Sequence, residues 1–368
     1  MSPSLPQRLA KHVSDETRYY DLPGPFELES GDVLDGVRVA YRTWGTLSES
    51  DPSAVLVCHA LTGSADVDQW WPGLIGADGA FDPDEDYIVC ANILGSCYGT
   101  SGPASQRPDG ERTYQADFPD ISVRDMVHLQ ARLLEGLGVT RLSLVTGPSL
   151  GGMQALEWAC LYPDRVGSIV PIGVGGRHSP WCIGLSESQR AAIEADPDWN
   201  GGFYSEEQRP QKGLAAARMM AICAYRSWAS FDSRFARNRR DDGRFEVESY
   251  LRYQGDKFND RFDANTYFTL TRAMHSHDLA RGREPIEEIL KALDLPALVV
   301  SVSSDGLYPP EEQVFLAEHL GNARYVVLES EHGHDGFLIE TDRLAAMIRT
   351  FREDARAVRA KKRASAGG

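Results

Sequence analysis

Ser149 stands between two glycines in the stretch VTGPSLGGMQALEWA, where a β-rich run gives way to a helical one. A serine hydroxyl is a poor nucleophile until an oriented base takes its proton, so the position has chemical meaning only with an acid and a histidine to serve it. Both follow downstream: Asp305 ends the apolar run in ALVVSVSSDGLYPP, and His332 and His334 come just after the run in YVVLESEHGHDGFL. Serine, aspartate and histidine in that order, each at the end of a strand, is the chain order in which such a triad gathers at one rim of a parallel sheet. The pentapeptide GPSLG alone is weak evidence, and its context strengthens it: Ser149 follows the strand run LSLVT and opens a helical segment, as a nucleophile elbow requires. Glycine at 147 and 151 removes side chains that would collide as the backbone folds tightly around the serine. Read blandly, Asp305 is a turn residue before Gly306 and the histidines decorate a loop, and spacing alone does not choose between His332 and His334.

The elements that must position these residues are legible as short β-branched runs separated by helical or turn-rich segments, the pattern of a mainly parallel sheet with helical crossovers. The runs are SAVLVCHA (53–60), DYIVCANIL (86–94), RLSLVTG (141–147), SIVPIG (168–173), ALVVSVS (297–303) and RYVVLES (324–330). The first fifty residues, with FELESGDVLDGVRVAYRTWG, read as antiparallel strands leading into that sheet. Between the fourth and fifth runs lie helical patterns such as EEQRPQKGLAAARMMAICAYRSWASF and ANTYFTLTRAMHSHDLARG. The expected organisation is therefore an α/β core over 1–175 and 291–368, interrupted at 176–290 by an inserted helical cap. The tail RAVRAKKRASAGG reads as low in complexity and frayed.

Composition excludes several classes. The chain has 368 residues, 42% hydrophobic and 25% charged, ordinary for a globular protein. No apolar run is long enough to span a bilayer and the start lacks the apolar core of a signal peptide, which points to the cytoplasm. A net charge of −16, from 38 basic and 54 acidic side chains, argues against nucleic acid and anionic membranes as partners. The basic run RFARNRR (234–240) is followed by Asp241 and Asp242 and reads as a solvated helix face. The six cysteines form no C-x-x-C pair and read as buried free thiols, and His275 and His277 read as helix residues rather than metal ligands.

Several stretches together resemble one family: VAYRTWGTL, CHALTGSADV, WWPGLIG, NILGSCYGTSGPAS, GPSLGGMQALEWA, DPDWNGGFY, GLAAARMMAICAYRS, SDGLYPP and GHDGFL. They are similar to the homoserine O-acetyltransferases, acyltransferases of the α/β hydrolase superfamily, over about residues 25–345. The resemblance implies an α/β hydrolase fold, helices on both faces of the sheet, and a triad of Ser149 as nucleophile, His334 as base and Asp305 as its orienting acid. It implies an oxyanion hole from the backbone N–H groups of Leu61 and Leu150, and substrate contacts from Arg218 to the amino-acid carboxylate and from Asp335 to the ammonium, with Tyr225 a further candidate. Without the resemblance, Arg218 reads as a surface helix charge.

The activity so implied is transfer of an acetyl group from acetyl-CoA to the hydroxyl of L-homoserine through an acyl-serine, in methionine biosynthesis, with no permanently bound cofactor, no metal, and a homodimer built through the cap. One position departs from the family pattern: Pro148 precedes the nucleophile where glycine is common, which removes an N–H and fixes φ. That leaves the acyl donor open. A succinyl donor would need a second cation, for which Arg177 and Arg190 are candidates, and serine as acceptor or simple ester hydrolysis would use the same triad.

Overall fold

The computed structural model describes residues 5–110 and 112–366. Ten strands occur in chain order among them: β1 (Arg18–Asp21), β2 (Phe26–Glu27), β3 (Val33–Leu34), β4 (Arg38–Trp44), β5 (Ser53–Cys58), β6 (Ile88–Ala91), β7 (Arg141–Pro148), β8 (Ile169–Ile172), β9 (Ala297–Val302) and β10 (Ala323–Leu328). Eight of them form one sheet in the order β1-β4-β6-β5-β7-β8-β9-β10, while β2 and β3 pair separately. β1 and β4 run antiparallel at one edge, and every pairing from β6 to β10 is parallel. This is the α/β hydrolase fold expected from the sequence.

The strands read as unbroken apolar runs because both faces of the sheet are covered. Ala54 and Leu56 join one core with Val145, Leu156 and Trp158. Val55 and Val57 point the other way, into a second core with Leu144, Val300, Leu344 and Ile348. The helix Leu150–Leu161 that follows β7 is buried from Leu150 to Ala159, so it is apolar nearly all round. Its one carboxylate in that span, Glu157, is held between Arg124 at 3.2 Å and Arg283 at 2.7 Å.

Between β8 and β9 the chain forms the helices Pro180–Glu194, Gln211–Tyr225, Trp228–Phe235, Glu246–Arg261, Ala264–His275 and Ile286–Ala292. The long helical pattern around residues 206–231 is two helices, because Arg226 leaves the helical region and the Ser227 side chain caps a new start by accepting from the Ser230 N–H. The arginines of RFARNRR are exposed as expected, but the run is not one helix face: the helix ends at the buried Phe235, Ala236 takes φ 43°, Arg237 lies in a turn and Arg239 in a β-bridge with Phe245. The C-terminal helix Thr341–Ala366 continues through most of the segment expected to fray, which is rich in the good helix formers alanine, arginine and lysine. Gly367 and Gly368 lie outside the described residues. Cys58, Cys90, Cys97 and Cys182 are buried free thiols and Cys160 is half-buried, but Cys223 is exposed. No helix among the described residues is long and apolar enough to cross a membrane.

The contact that most constrains the centre of the sheet involves two glycines. A Cβ at either Gly147 or Gly151 would overlap the Cys58 carbonyl oxygen at the end of β5. The end of β7, the first turn of its helix and the exit of β5 are therefore packed backbone to backbone. Replacing Gly151 with alanine is expected to cost about 3 kcal/mol, the upper end for overpacking, because no side-chain rotation relieves a clash with a main-chain oxygen. Urea unfolding checks this; a midpoint equal to that of the parent chain would contradict the packing described.

Candidate active site

Ser149 is the residue between β7 and its helix, and it carries φ 55° and ψ −121°, a backbone region that side-chain-bearing residues rarely occupy. Such a conformation costs on the order of 1–3 kcal/mol and persists only where the surroundings impose it. Here they do so through the Gly147 and Gly151 packing and through the Ser149 N–H, which donates to Ile172 O of β8 at 2.9 Å. Successive N–H groups of a strand point to opposite sides, so position 148 faces β5, where the register with β7 has already ended at Val57 and Thr146. Pro148 therefore gives up an N–H that the ladder does not require.

His334 and Asp305 meet at the same rim. His334 Nδ1 lies 2.7 Å from Asp305 Oδ2, and both side chains are almost wholly buried. The other carboxylate oxygen accepts from the N–H groups of Leu307 at 2.8 Å and Tyr308 at 2.9 Å, which fixes the carboxylate plane. Burial by itself lowers the His334 pKa; the charge and hydrogen bond of Asp305, with the charge of Asp335, overturn that and raise it above the ordinary histidine value. A Cβ at Gly173, the residue after the Ile172 that anchors Ser149, would stand 3.4 Å from His334 Cε1 and 3.5 Å from Asp305 Oδ2, so the pair and Ser149 share the end of β8. The Ser149 hydroxyl makes no hydrogen bond among the described residues. Such contacts often tighten only when substrate is bound.

The structure separates the two histidines. His334 takes Asp305, whereas His332 Nδ1 lies 3.3 Å from the Ser230 hydroxyl. The turn between them is seated on the insertion: Gly333 has φ 66°, and a Cβ there would overlap Tyr225 O and Ser227 N.

Two backbone N–H groups near Ser149 have no partner among the described residues, those of Leu61 and Leu150. Leu150 opens the helix, where N–H groups lack intrahelical acceptors and the helix dipole is positive. Leu61 lies in the loop leaving β5, which the two glycines bring against the same helix turn. His59, which sequence reading passed over inside CHALTG, holds that loop. Its Nε2 accepts from the Ile93 N–H at 3.1 Å, so the proton sits on Nδ1, which donates to Ala60 O at 2.8 Å. Burial lowers its pKa to about 4, which keeps the ring neutral in this role. The Ala60 carbonyl and the Leu61 N–H belong to one peptide plane, so His59 sets the direction of the N–H.

Arg218 is not the surface charge of the bland reading. It is half-buried, its guanidinium lies 5.0 Å from the centre of the Phe258 ring, and it makes no ion pair or hydrogen bond among the described residues. Burial pushes the phenols of Tyr225 and Tyr267 up while the Arg218 charge opposes the rise, so the cation lies close to both. Tyr225 stands with its ring 5.9 Å from that of His334. Asp335 differs from expectation in being already engaged: its Oδ2 lies 3.0 Å from Arg226 Nε. Arg190 is paired with Glu187 and packed on Phe268, whereas Arg177 is exposed, its backbone in a β-bridge with Asp278 and its guanidinium without an ion pair among the described residues. His275 ends a helix, and His277, just beyond it, is buried against Gly175 O at 2.9 Å.

Comparison with known proteins bears on the fold and the family. A family model described as the alpha/beta hydrolase fold matches residues 53–341. The homoserine O-acetyltransferase of Trichormus variabilis is 56% identical over 342 residues, covering 93% of this chain and 95% of that protein. Among solved structures, a homoserine O-acetyltransferase from Bacillus anthracis superposes with a TM-score of 0.82 at 25% identity, covering 92% of this chain and 98% of that one. An esterase superposes with a TM-score of 0.84 at 27% identity, covering 92% and 99%.

The histidine pair generates a pH prediction. A base must be neutral to accept a proton, so acylation of Ser149 by an activated ester is expected to rise with pH through a midpoint above about 6.5, the ordinary histidine value. Asp305→Asn removes the larger of the interactions that raise the pKa, leaving the smaller one from the Asp335 charge and the burial that lowers it. The midpoint is then expected below about 6.5, with turnover reduced by about three to four orders of magnitude, as in other triads. A pH–rate profile for both proteins checks this, and a midpoint that does not move on substitution contradicts the pairing.

Proposed function

The chain belongs to the homoserine O-acetyltransferase family within the α/β hydrolase fold, and on that premise we propose that Ser149, His334 and Asp305 carry the acyl group in two steps. The reaction is transfer of an acetyl group to homoserine, a step of methionine biosynthesis. The observation that most supports this division of labour is the strained Ser149 at the end of β7 beside the buried His334 and Asp305 pair. Acetyl-CoA is the donor in this reading. The Ser149 oxygen attacks the thioester carbon while His334 Nε2 takes its proton; the carbon–sulfur bond breaks and the proton leaves with the CoA thiol. The homoserine hydroxyl then attacks the acyl-serine, His334 takes the new proton, and it returns that proton to the Ser149 oxygen as O-acetyl-L-homoserine departs. The Leu61 and Leu150 N–H groups receive the oxyanion in both steps, each contributing about 3–4 kcal/mol to the barrier reduction.

Arg218 serves as the carboxylate partner of the acceptor, a role supported by a half-buried guanidinium with no counter-ion of its own. Asp335 shares itself between Arg226 and the substrate ammonium, using the carboxylate oxygen that Arg226 leaves free. Tyr225 lines the same space beside His334. The helical insertion excludes water that would otherwise hydrolyse the acyl-enzyme. The engaged state of Arg190 and the exposure of Arg177 favour acetyl over succinyl. Trp228 at 80% exposure and Tyr253 at 60% suit the insertion to pairing with a second copy, and the reading keeps the enzyme in the cytoplasm with small-molecule substrates only.

Hydrolysis of simple esters is the second reading, favoured by the superposed esterase. Steady-state rates for homoserine and serine against acetyl-CoA and succinyl-CoA distinguish these outcomes. The family activity predicts that the homoserine and acetyl-CoA pair dominates; ester hydrolysis without CoA-dependent transfer would reverse the assignment. Within that matrix Arg218→Ala is the sharpest variant. Truncating one partner of a buried charge pair costs about 2–5 kcal/mol, and the loss should fall only on the acceptor half. Rapid mixing is expected to show CoA released in a normal first burst, then a stall, with lysine restoring part of the second phase. An unaltered second phase would remove Arg218 from the acceptor site.

A further inference from the structure

Arg261 ends the helix Glu246–Arg261 and reaches from the insertion onto the loop that carries Leu61. Its Nη1 donates to Thr62 O at 3.0 Å and to the Tyr98 hydroxyl at 2.9 Å, and its Nη2 lies 3.4 Å from Thr62 Oγ1. No carboxylate neutralises it among the described residues, in a chain whose net charge is −16. Its guanidinium lies 5.0 Å from the centre of the buried Phe258 ring, the same ring on which Arg218 packs at 5.0 Å.

The consequence follows from which atoms share a peptide plane. Thr62 C=O and Gly63 N–H belong to one plane, and that N–H donates to Ala60 O at 2.9 Å. Ala60 C=O and Leu61 N–H belong to the next. A hydrogen bond from a guanidinium therefore enters at Thr62 O, passes through Gly63 N–H to Ala60 O, and ends on the Leu61 N–H. Hydrogen bonds in series polarise one another, and one with a charged donor is the stronger kind. Gly63 is required for this geometry, because a Cβ there would crowd the His59 Cβ and ring.

We propose that Arg261 is a positioning residue that aims and polarises the Leu61 N–H through these two peptide planes, so that the insertion helps to set the strength of the oxyanion hole. The proposal rests on the reading of Leu61 as an oxyanion donor. It explains why a cation of the insertion is spent on a backbone carbonyl rather than on one of the many carboxylates. Because the oxyanion forms whatever the acyl donor, the effect of Arg261 does not depend on CoA or on homoserine.

The test measures the acylation burst of Arg261→Met and Arg261→Lys with p-nitrophenyl acetate and, separately, with acetyl-CoA. For the methionine variant both acylation rates are expected to fall by a similar factor, about 10- to 100-fold, with the KM for each donor little changed; lysine should recover part of the loss. Should methionine prevent folding, Arg261→Gln, which keeps a donor but no charge, is read by the same criterion. A folded variant that acylates at the parental rate with both donors overturns the proposal, as does a loss confined to the homoserine step. Ser149→Ala run alongside separates the two claims. A burst that survives in that variant overturns the nucleophile assignment and the relay with it, whereas a burst lost there but intact in Arg261→Met overturns only the relay.

Discussion

The backbone of Ser149 is the constraint on which the rest of the site depends. A side chain held at φ 55° stands on a turn too sharp for ordinary packing, and it is held because three backbone segments press on it: the Cys58 carbonyl against Gly147 and Gly151, Ile172 O on the Ser149 N–H, and the helix that starts at Leu150. The same compression brings the loop after β5 beside the helix start, so Ser149 and the two N–H groups proposed as oxyanion donors are products of one packing arrangement. Its cost, of order 1–3 kcal/mol, is a small part of what the two apolar cores on either face of the sheet supply.

Charge is distributed so that each half of the chemistry has its own support. Asp305 is saturated by two N–H groups and His334, and the raised histidine pKa is a product of that pairing working against burial. The insertion contributes at three points. Tyr225 and Ser227 seat the turn at Gly333, Arg226 pairs with Asp335, and Arg261 grips Thr62. Arg218 alone among these arginines stands without a partner, which suits a group reserved for a carboxylate that arrives from outside.

Much of this arrangement was legible in the chain, for physical reasons that also mark where reading failed. β5, β7, β8 and β9 were readable because strands buried on both faces are continuous apolar runs. Ser149, Asp305 and His334 were readable because each sits at the end of such a run, and the choice of His334 over His332 came from motif resemblance and not from spacing. His59 and Arg261 were not readable, since both act through main-chain carbonyls that leave no pattern in side-chain types. The pairing of Asp335 with Arg226 spans more than a hundred residues of sequence and could be found only in three dimensions. The glycines at 147 and 151 were explained by the local turn, whereas their tightest neighbour is Cys58, on another strand.

The central claim is that the acyl group rests on Ser149 between the two halves of the reaction. Mixing the enzyme with acetyl-CoA and no acceptor, quenching in acid and mapping the digest by mass spectrometry tests it directly. The account predicts one added acetyl group on the peptide containing Ser149, discharged when homoserine is supplied before the quench. An acetyl group on any other residue, or none on an enzyme that turns over normally, would contradict it.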